Sequence, residues 1–98
     1  MTLRKDPEGI ETAHLRDFAP LTGARVLEVG CGDGRLTWRY AAAARRVAGI
    51  DLDAEELSIA FRECPAQLRS TVILARAQAE ALPFPRETFD LAVLAWSL

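Results

Sequence analysis

The stretch VLEVGCGDGRLT, Val26 to Thr37, sets three glycines at every second position directly after an apolar run and places two carboxylates, Glu28 and Asp33, beside and within them. ARVLEV before the glycines is short, β-branched and bounded by Gly23 and Gly30, the pattern of a buried strand. GRLTWRYAAAA after them places Leu36, Tyr40, Ala43 and Ala44 at helical spacing, with alanines that favour helix and Arg45 and Arg46 suited to its C-terminus. Strand, glycine turn and helix in that order suggest the opening unit of an α/β sheet.

Moving outward, RVAGID reads as a second strand. DAEELSIAFREC reads as a second helix, capped by Asp53 with Glu56 three residues on and closed by Pro65. STVILARA is a third strand, EALPFPRET a loop with two prolines, and FDLAVLAWSL a fourth strand. Toward the N-terminus, Asp6 as N-cap and Pro7 at the first helical position predict a helix over about 7–19, with Ile10, Ala13 and Phe18 on one face. Strands alternating with helices imply parallel pairing and right-handed crossovers, hence a doubly wound sheet. Ligands of such sheets bind outside the carboxyl ends of the strands, which directs attention to the loops after Val29, after Ile50 and after 74–76.

Composition narrows the function classes. The 98 residues are half hydrophobic, without repeats or low-complexity tracts, and fit a single domain. Lys and Arg number 12 against 14 Asp and Glu, so no overall positive field gathers nucleic acid or an anionic membrane surface. LAVLAWSL falls well short of the ~20 apolar residues of a membrane span, and MTLRKDPEGIE lacks the apolar core of a secretion signal, so we expect a cytoplasmic protein. Cys31 and Cys64 have neither CxxC nor Cys/His spacing; we expect reduced thiols and no metal site.

The glycine turn suits either a phosphate or a cation. The fingerprint G-x-G-x-x-G wants a small residue at position 35, where Arg35 stands. Glu28 and Asp33 would repel a pyrophosphate and attract an ammonium or sulfonium group; a unit charge pair at ~4 Å is worth ~4 kcal/mol at an effective dielectric near 20, before desolvation. The bland alternatives are a Glu28 paired with a nearby Lys or Arg and an Asp33 that is a solvated turn residue. Asp51 follows the second strand, where a carboxylate can accept from vicinal ribose hydroxyls; Asp53 already supplies the helix cap. Together these residues favour a nucleoside that is cationic and carries no phosphate.

VLEVGCGDGRLT, VAGIDLD and AQAEALPFPRETFDLAV, in this order and spacing over roughly residues 20 to 98, resemble the class I S-adenosylmethionine-dependent methyltransferases, especially the small-molecule branch related to ubiquinone and menaquinone biosynthesis. The resemblance implies a Rossmann-like sheet of strand order 3-2-1-4 and S-adenosylmethionine as cofactor. It implies that Glu28 and the backbone of Gly30, Cys31, Gly32 and Gly34 hold the methionine part, that Asp51 binds the ribose and that Leu52 packs on the adenine. Gln78 stands where the family usually has Asp, facing the adenine amino group, which its amide oxygen can still accept from; the Ala79 N–H meets a ring nitrogen. Asp90 resembles the family's acidic residue entering the fourth strand, here expected to be structural.

The family has seven strands. The sequence is therefore expected to be one partial domain over 1–98, an N-terminal helix followed by the βαβαββ cofactor-binding half from about residue 20, with the acceptor half absent. No catalytic residue and no methyl acceptor can be named from it. The fourth strand is expected to be an exposed apolar edge, driving self-association through that strand or through uncovered helix faces. The alternatives are a non-catalytic cofactor-binding or assembly module of the same fold and, disfavoured by Glu28 and Arg35, a nicotinamide-dependent oxidoreductase fragment.

Overall fold

The computed structural model describes residues 2–4, 13–14, 19–85 and 88–95. In chain order its elements are β1 (Thr2–Arg4), β2 (Ala13–His14), β3 (Arg25–Val29), α1 (Thr37–Tyr40), β4 (Arg46–Asp51), α2 (Ala54–Glu63), β5 (Val72–Arg76) and β6 (Leu91–Leu94). They form one sheet of order β2-β1-β6-β3-β4-β5. β5, β4, β3 and β6 are mutually parallel, and they are the third, second, first and fourth strands expected from the sequence, in the expected order 3-2-1-4. Val26 lies opposite Val47 on one side and Leu91 on the other, so β3 is the central strand.

Strand alternation divides the interior into two layers. Val26, Val47, Val72 and Val93 point to the helical side, where Leu21, Tyr40, Ala41, Ala44 and Leu68 complete a buried cluster. Leu27, Val29, Ala48, Ile50 and Ala92 point the other way, against Leu82, Phe84 and Phe89 of the segment between β5 and β6. Phe84 and Phe89 meet edge to face with ring centroids 5.6 Å apart. Helix α2 starts as its sequence demands: Asp53 Oδ1 accepts from the N–H groups of Glu55 and Glu56 at 3.0 and 3.2 Å. It ends one residue before Cys64, and Pro65 follows.

Helix α1 is much shorter than the alanine run suggests. Only Thr37–Tyr40 is α-helical, because the carbonyls beyond it are drawn into the route to β4: Gly23 N–H donates to Ala43 O at 2.8 Å, and Arg45 N–H to Ala24 O at 2.9 Å. These contacts come from the approach to β3 and override local helix preference.

The N-terminal expectations meet a different structure where residues are described. The helix over 7–19 lies mostly outside the described residues, and Ala13–His14 within it are extended, paired antiparallel with β1. The fourth strand is not a bare edge. β1 pairs antiparallel with β6, Thr2 opposite Leu94 and Arg4 opposite Ala92, and so occupies the ladder positions expected to be open. No described helix is long and apolar enough to cross a membrane.

Asp90 fixes where β6 joins β3. Its Oδ2 accepts from the Arg25 backbone N–H at 2.8 Å, its Oδ1 lies 2.9 Å from the Arg25 guanidinium, and its own N–H donates to Arg25 O at 2.8 Å. The guanidinium and backbone N–H hold the Asp90 carboxyl below its usual value of 3.8. Its contribution to stability is therefore complete above pH 3.8 and disappears as pH falls through the lower folded value. In thermal melts, Asp90→Ala is expected to be less stable than the parent by a constant margin from pH 7 to about pH 5, with the margin closing in stronger acid. A margin independent of pH down to full protonation contradicts this role.

Candidate functional site

Three parallel strands end side by side, and their loops line an open cavity of about 430 Å3. Val29 and Gly30 contribute from β3, Ile50, Asp51 and Leu52 from β4, and the segment from Ala77 to Glu80 from β5. The volume falls in the range of small-molecule sites. Two of these residues, Asp51 and Glu80, are carboxylates; among the described residues no Lys or Arg lines the cavity.

The glycine turn is built by backbone that avoids side chains. Gly30, Gly32 and Gly34 have φ of 77°, 56° and 89°, so every second residue is left-handed and the chain folds back tightly over the end of β4. There Ile50 O accepts two bonds, from Gly30 N–H at 2.8 Å and Cys31 N–H at 3.0 Å. Asp51 completes the clamp. Its Oδ2 accepts from Gly32 N–H and its Oδ1 from Asp53 N–H, both at 2.8 Å. One carboxylate thus joins the glycine turn to the start of α2 and retains a lone pair on each oxygen for a ligand.

Of the residues singled out in the sequence, Gly30, Asp51, Leu52, Gln78 and Ala79 come together around the cavity. Leu52 is 54% exposed, an apolar surface open to a planar ring. Cys31, Gly32 and Gly34 shape the turn without lining the cavity, Gly32 being linked to it through Asp51. Cys31 is buried, and burial together with the negative charges of Glu28 and Asp51 pushes its thiol up to about 12, so it is no nucleophile at neutral pH. Asp33 pairs with its neighbour Arg35 at 3.0 Å, as a turn residue does.

Glu28 departs from expectation. It has the same strand parity as Val26, so its carboxylate points into the helical layer, is fully buried and does not line the cavity. Its Oε1 accepts from Thr37 Oγ1 at 3.0 Å and from Tyr40 Oη at 2.5 Å, while Oε2 has no partner among the described residues. Burial pushes the carboxyl up to about 7, against the pull of the two hydroxyls. Because the folded value lies above the usual 4.5, the protonated form favours the fold, an advantage full below pH 4.5 and lost as pH rises toward 7. Rather than holding the methionine part of the cofactor, as the resemblance implies, Glu28 is, among the described residues, buried behind the cavity lining, against Thr37 and Tyr40.

Some site residues escaped the sequence reading. Glu80 lines the cavity although no motif marked it. Thr37 and Tyr40 are the partners of Glu28, and their signal was present: two hydroxyl residues three apart on the helix that follows an acidic strand position. Arg76 Nε donates to Leu52 O at 2.9 Å and fixes the loop that carries the exposed leucine.

Comparison with known proteins agrees with this geometry. Residues 26–98 match the methyltransferase domain family. The chain is 32% identical over 91 residues to the demethylmenaquinone methyltransferase of Symbiobacterium thermophilum, covering 85% of this chain and 36% of that protein. It is 40% identical over 55 residues to a ubiquinone biosynthesis O-methyltransferase of Nitrosococcus oceani, covering 56% and 23%. Among solved structures, an S-adenosylmethionine-dependent methyltransferase from Mesorhizobium loti superposes with a TM-score of 0.61 at 32% identity, covering 74% of this chain and 32% of that one. The chain thus spans roughly a quarter to a third of the length of these relatives. With the 3-2-1-4 parallel sheet, the left-handed glycine turn and Asp51 at the end of β4 all in place, the chain belongs to the class I S-adenosylmethionine-dependent methyltransferase family.

Proposed function

We propose that this chain forms the cofactor-binding part of a methyltransferase acting on a small molecule, with S-adenosylmethionine held in the cavity at the ends of β3, β4 and β5. The observation that carries the reading is the charge of that cavity: among the described residues two carboxylates and no basic residue line it. A dinucleotide brings a pyrophosphate that such a surface repels, whereas a sulfonium nucleoside brings a positive charge. The residues present fit the cofactor chemically. Asp51 keeps lone pairs for ribose hydroxyls, Leu52 offers an apolar face for a purine, and Gln78 and Ala79 supply an amide and a backbone N–H for its edge.

When bound, the cofactor supplies a methyl group on a positively charged sulfur, already activated for displacement. What the chain's own residues do is bind and orient. Catalysis of such a displacement rests on alignment, and a rigid turn built of backbone bonds to Ile50 and Asp51 suits that task. Resemblance to quinone-pathway relatives supports a small-molecule acceptor.

The direct test is calorimetric titration with S-adenosylmethionine and, separately, with NADH. S-adenosylmethionine is expected to bind at least about tenfold more tightly, a difference of ~1.4 kcal/mol. Tighter binding of NADH would reverse the reading.

A further inference from the structure

Glu28 is the one fully buried carboxylate of the described chain, and cofactor contact does not explain it. It lies on β3 two residues before Gly30, the first glycine of the turn, and its hydroxyl partners Thr37 and Tyr40 form the helix that leaves the turn. The group therefore bridges the two elements between which the glycine turn is strung. Both hydroxyls converge on Oε1, and Oε2 has no hydrogen-bond partner among the described residues. A charged carboxylate in that position lacks half its solvation, while a neutral one leaves the short Tyr40 bond weaker.

We propose that Glu28 is a proton-linked positioning residue: when a sulfonium ligand occupies the cavity beside the glycine turn, Glu28 releases its proton to solvent, and its carboxylate then holds Thr37 and Tyr40, and with them α1, more tightly against β3. The inference rests on the cofactor reading above.

The surroundings of Glu28 permit the linkage. Its neighbours across the sheet, Gly49 on β4 and Val93 on β6, carry no charge. On α1 the titratable group that touches Glu28 is Tyr40, whose hydroxyl is held well above its usual value by burial and by Glu28 itself, while Arg39, the other titratable residue of α1, is exposed. On the turn side Cys31 feels the charges of both Glu28 and Asp51, with Asp33 beyond, and its thiol stays protonated at neutral pH. Glu28 itself sits near neutrality, where a modest field tips it. A unit positive charge ~10 Å away, at an effective dielectric near 20, lowers a carboxyl pKa by about one unit.

The experiment is S-adenosylmethionine titration by calorimetry at pH 7 in buffers of different ionisation enthalpy, on the parent and on Glu28→Gln. The ligand's own amino group titrates alike in both, so the difference reports Glu28. The parent is expected to release about 0.4 proton more per ligand than Glu28→Gln, and its affinity to rise roughly fivefold more between pH 6 and pH 8. His14→Gln, which removes the chain's single histidine, is expected to leave that difference unchanged. Should Glu28→Gln not fold, carbon-detected NMR of the Glu28 carboxyl in the parent, with and without ligand, reads the same shift. Binding with equal proton release in both proteins, or a Glu28 titration unmoved by ligand, overturns the proposal alone. Absence of binding by the parent overturns the cofactor reading as well.

Discussion

Asp51→Ala is expected to weaken S-adenosylmethionine binding by ~1–3 kcal/mol, about 5- to 150-fold in Kd, while leaving a folded protein. Two losses combine in this variant. A carboxylate with a free lone pair on each oxygen leaves the cavity, and the Gly32 N–H that it held at 2.8 Å is released. Gly32 is half-buried, so water can satisfy that N–H and the fold survives. Binding does not recover, because the carboxylate is gone and Gly32 is freed, although Gly30 and Cys31 still hold the turn to Ile50 O. Asp51→Asn keeps one acceptor oxygen and is expected to fall between parent and alanine. Calorimetry paired with thermal melts separates the effects; an unchanged affinity in a folded Asp51→Ala removes this residue from the site.

Gly34→Ala is expected to cost ~2–3 kcal/mol of stability, lowering the melting temperature by on the order of 10–20 °C in a domain of this size. Its φ of 89° is one that a side chain tolerates poorly. An added Cβ would also overlap the Trp38 indole, whose Cε2 would lie 2.6 Å away. These two causes can be told apart. In a double-mutant cycle with Trp38→Ala, the steric part vanishes and the backbone part remains, so a coupling energy above about 0.5 kcal/mol identifies the indole as the obstacle. A Gly34→Ala protein as stable as the parent contradicts both.

Much of this architecture was legible because it is local. The strand-turn-helix order, the Asp53 cap of α2 and the carboxylate after the second strand each depend on residues close in sequence, and the structure realises them. The burial of Glu28 was legible in principle. In a parallel strand covered on both faces, parity alone assigns it to the side of Val26, but the sign of its charge drew attention toward a ligand instead. Other features depend on distant partners. The shortening of α1 follows from carbonyls and amides near residues 23–24 that bind back on 43–45, and no propensity encodes such bonds. Likewise β1 is three residues long, too brief for any periodicity, and its pairing is specified by a strand at the far end of the chain. Glu80 enters the cavity through the path of a loop, which composition does not predict.

The β1–β6 pairing also has a kinetic meaning. It joins residue 2 to residue 94, whereas the β3–β4 ladder joins residue 25 to residue 46. Closing a loop roughly four times longer costs about 1 kcal/mol more in chain entropy, for fewer ladder positions. The central ladder is therefore expected to assemble first, and the β1–β2 pair to join it last. By the same reckoning that pair leaves first, so the protein opens from the rim of its sheet while the cofactor turn, strung between early-formed strands, stays intact.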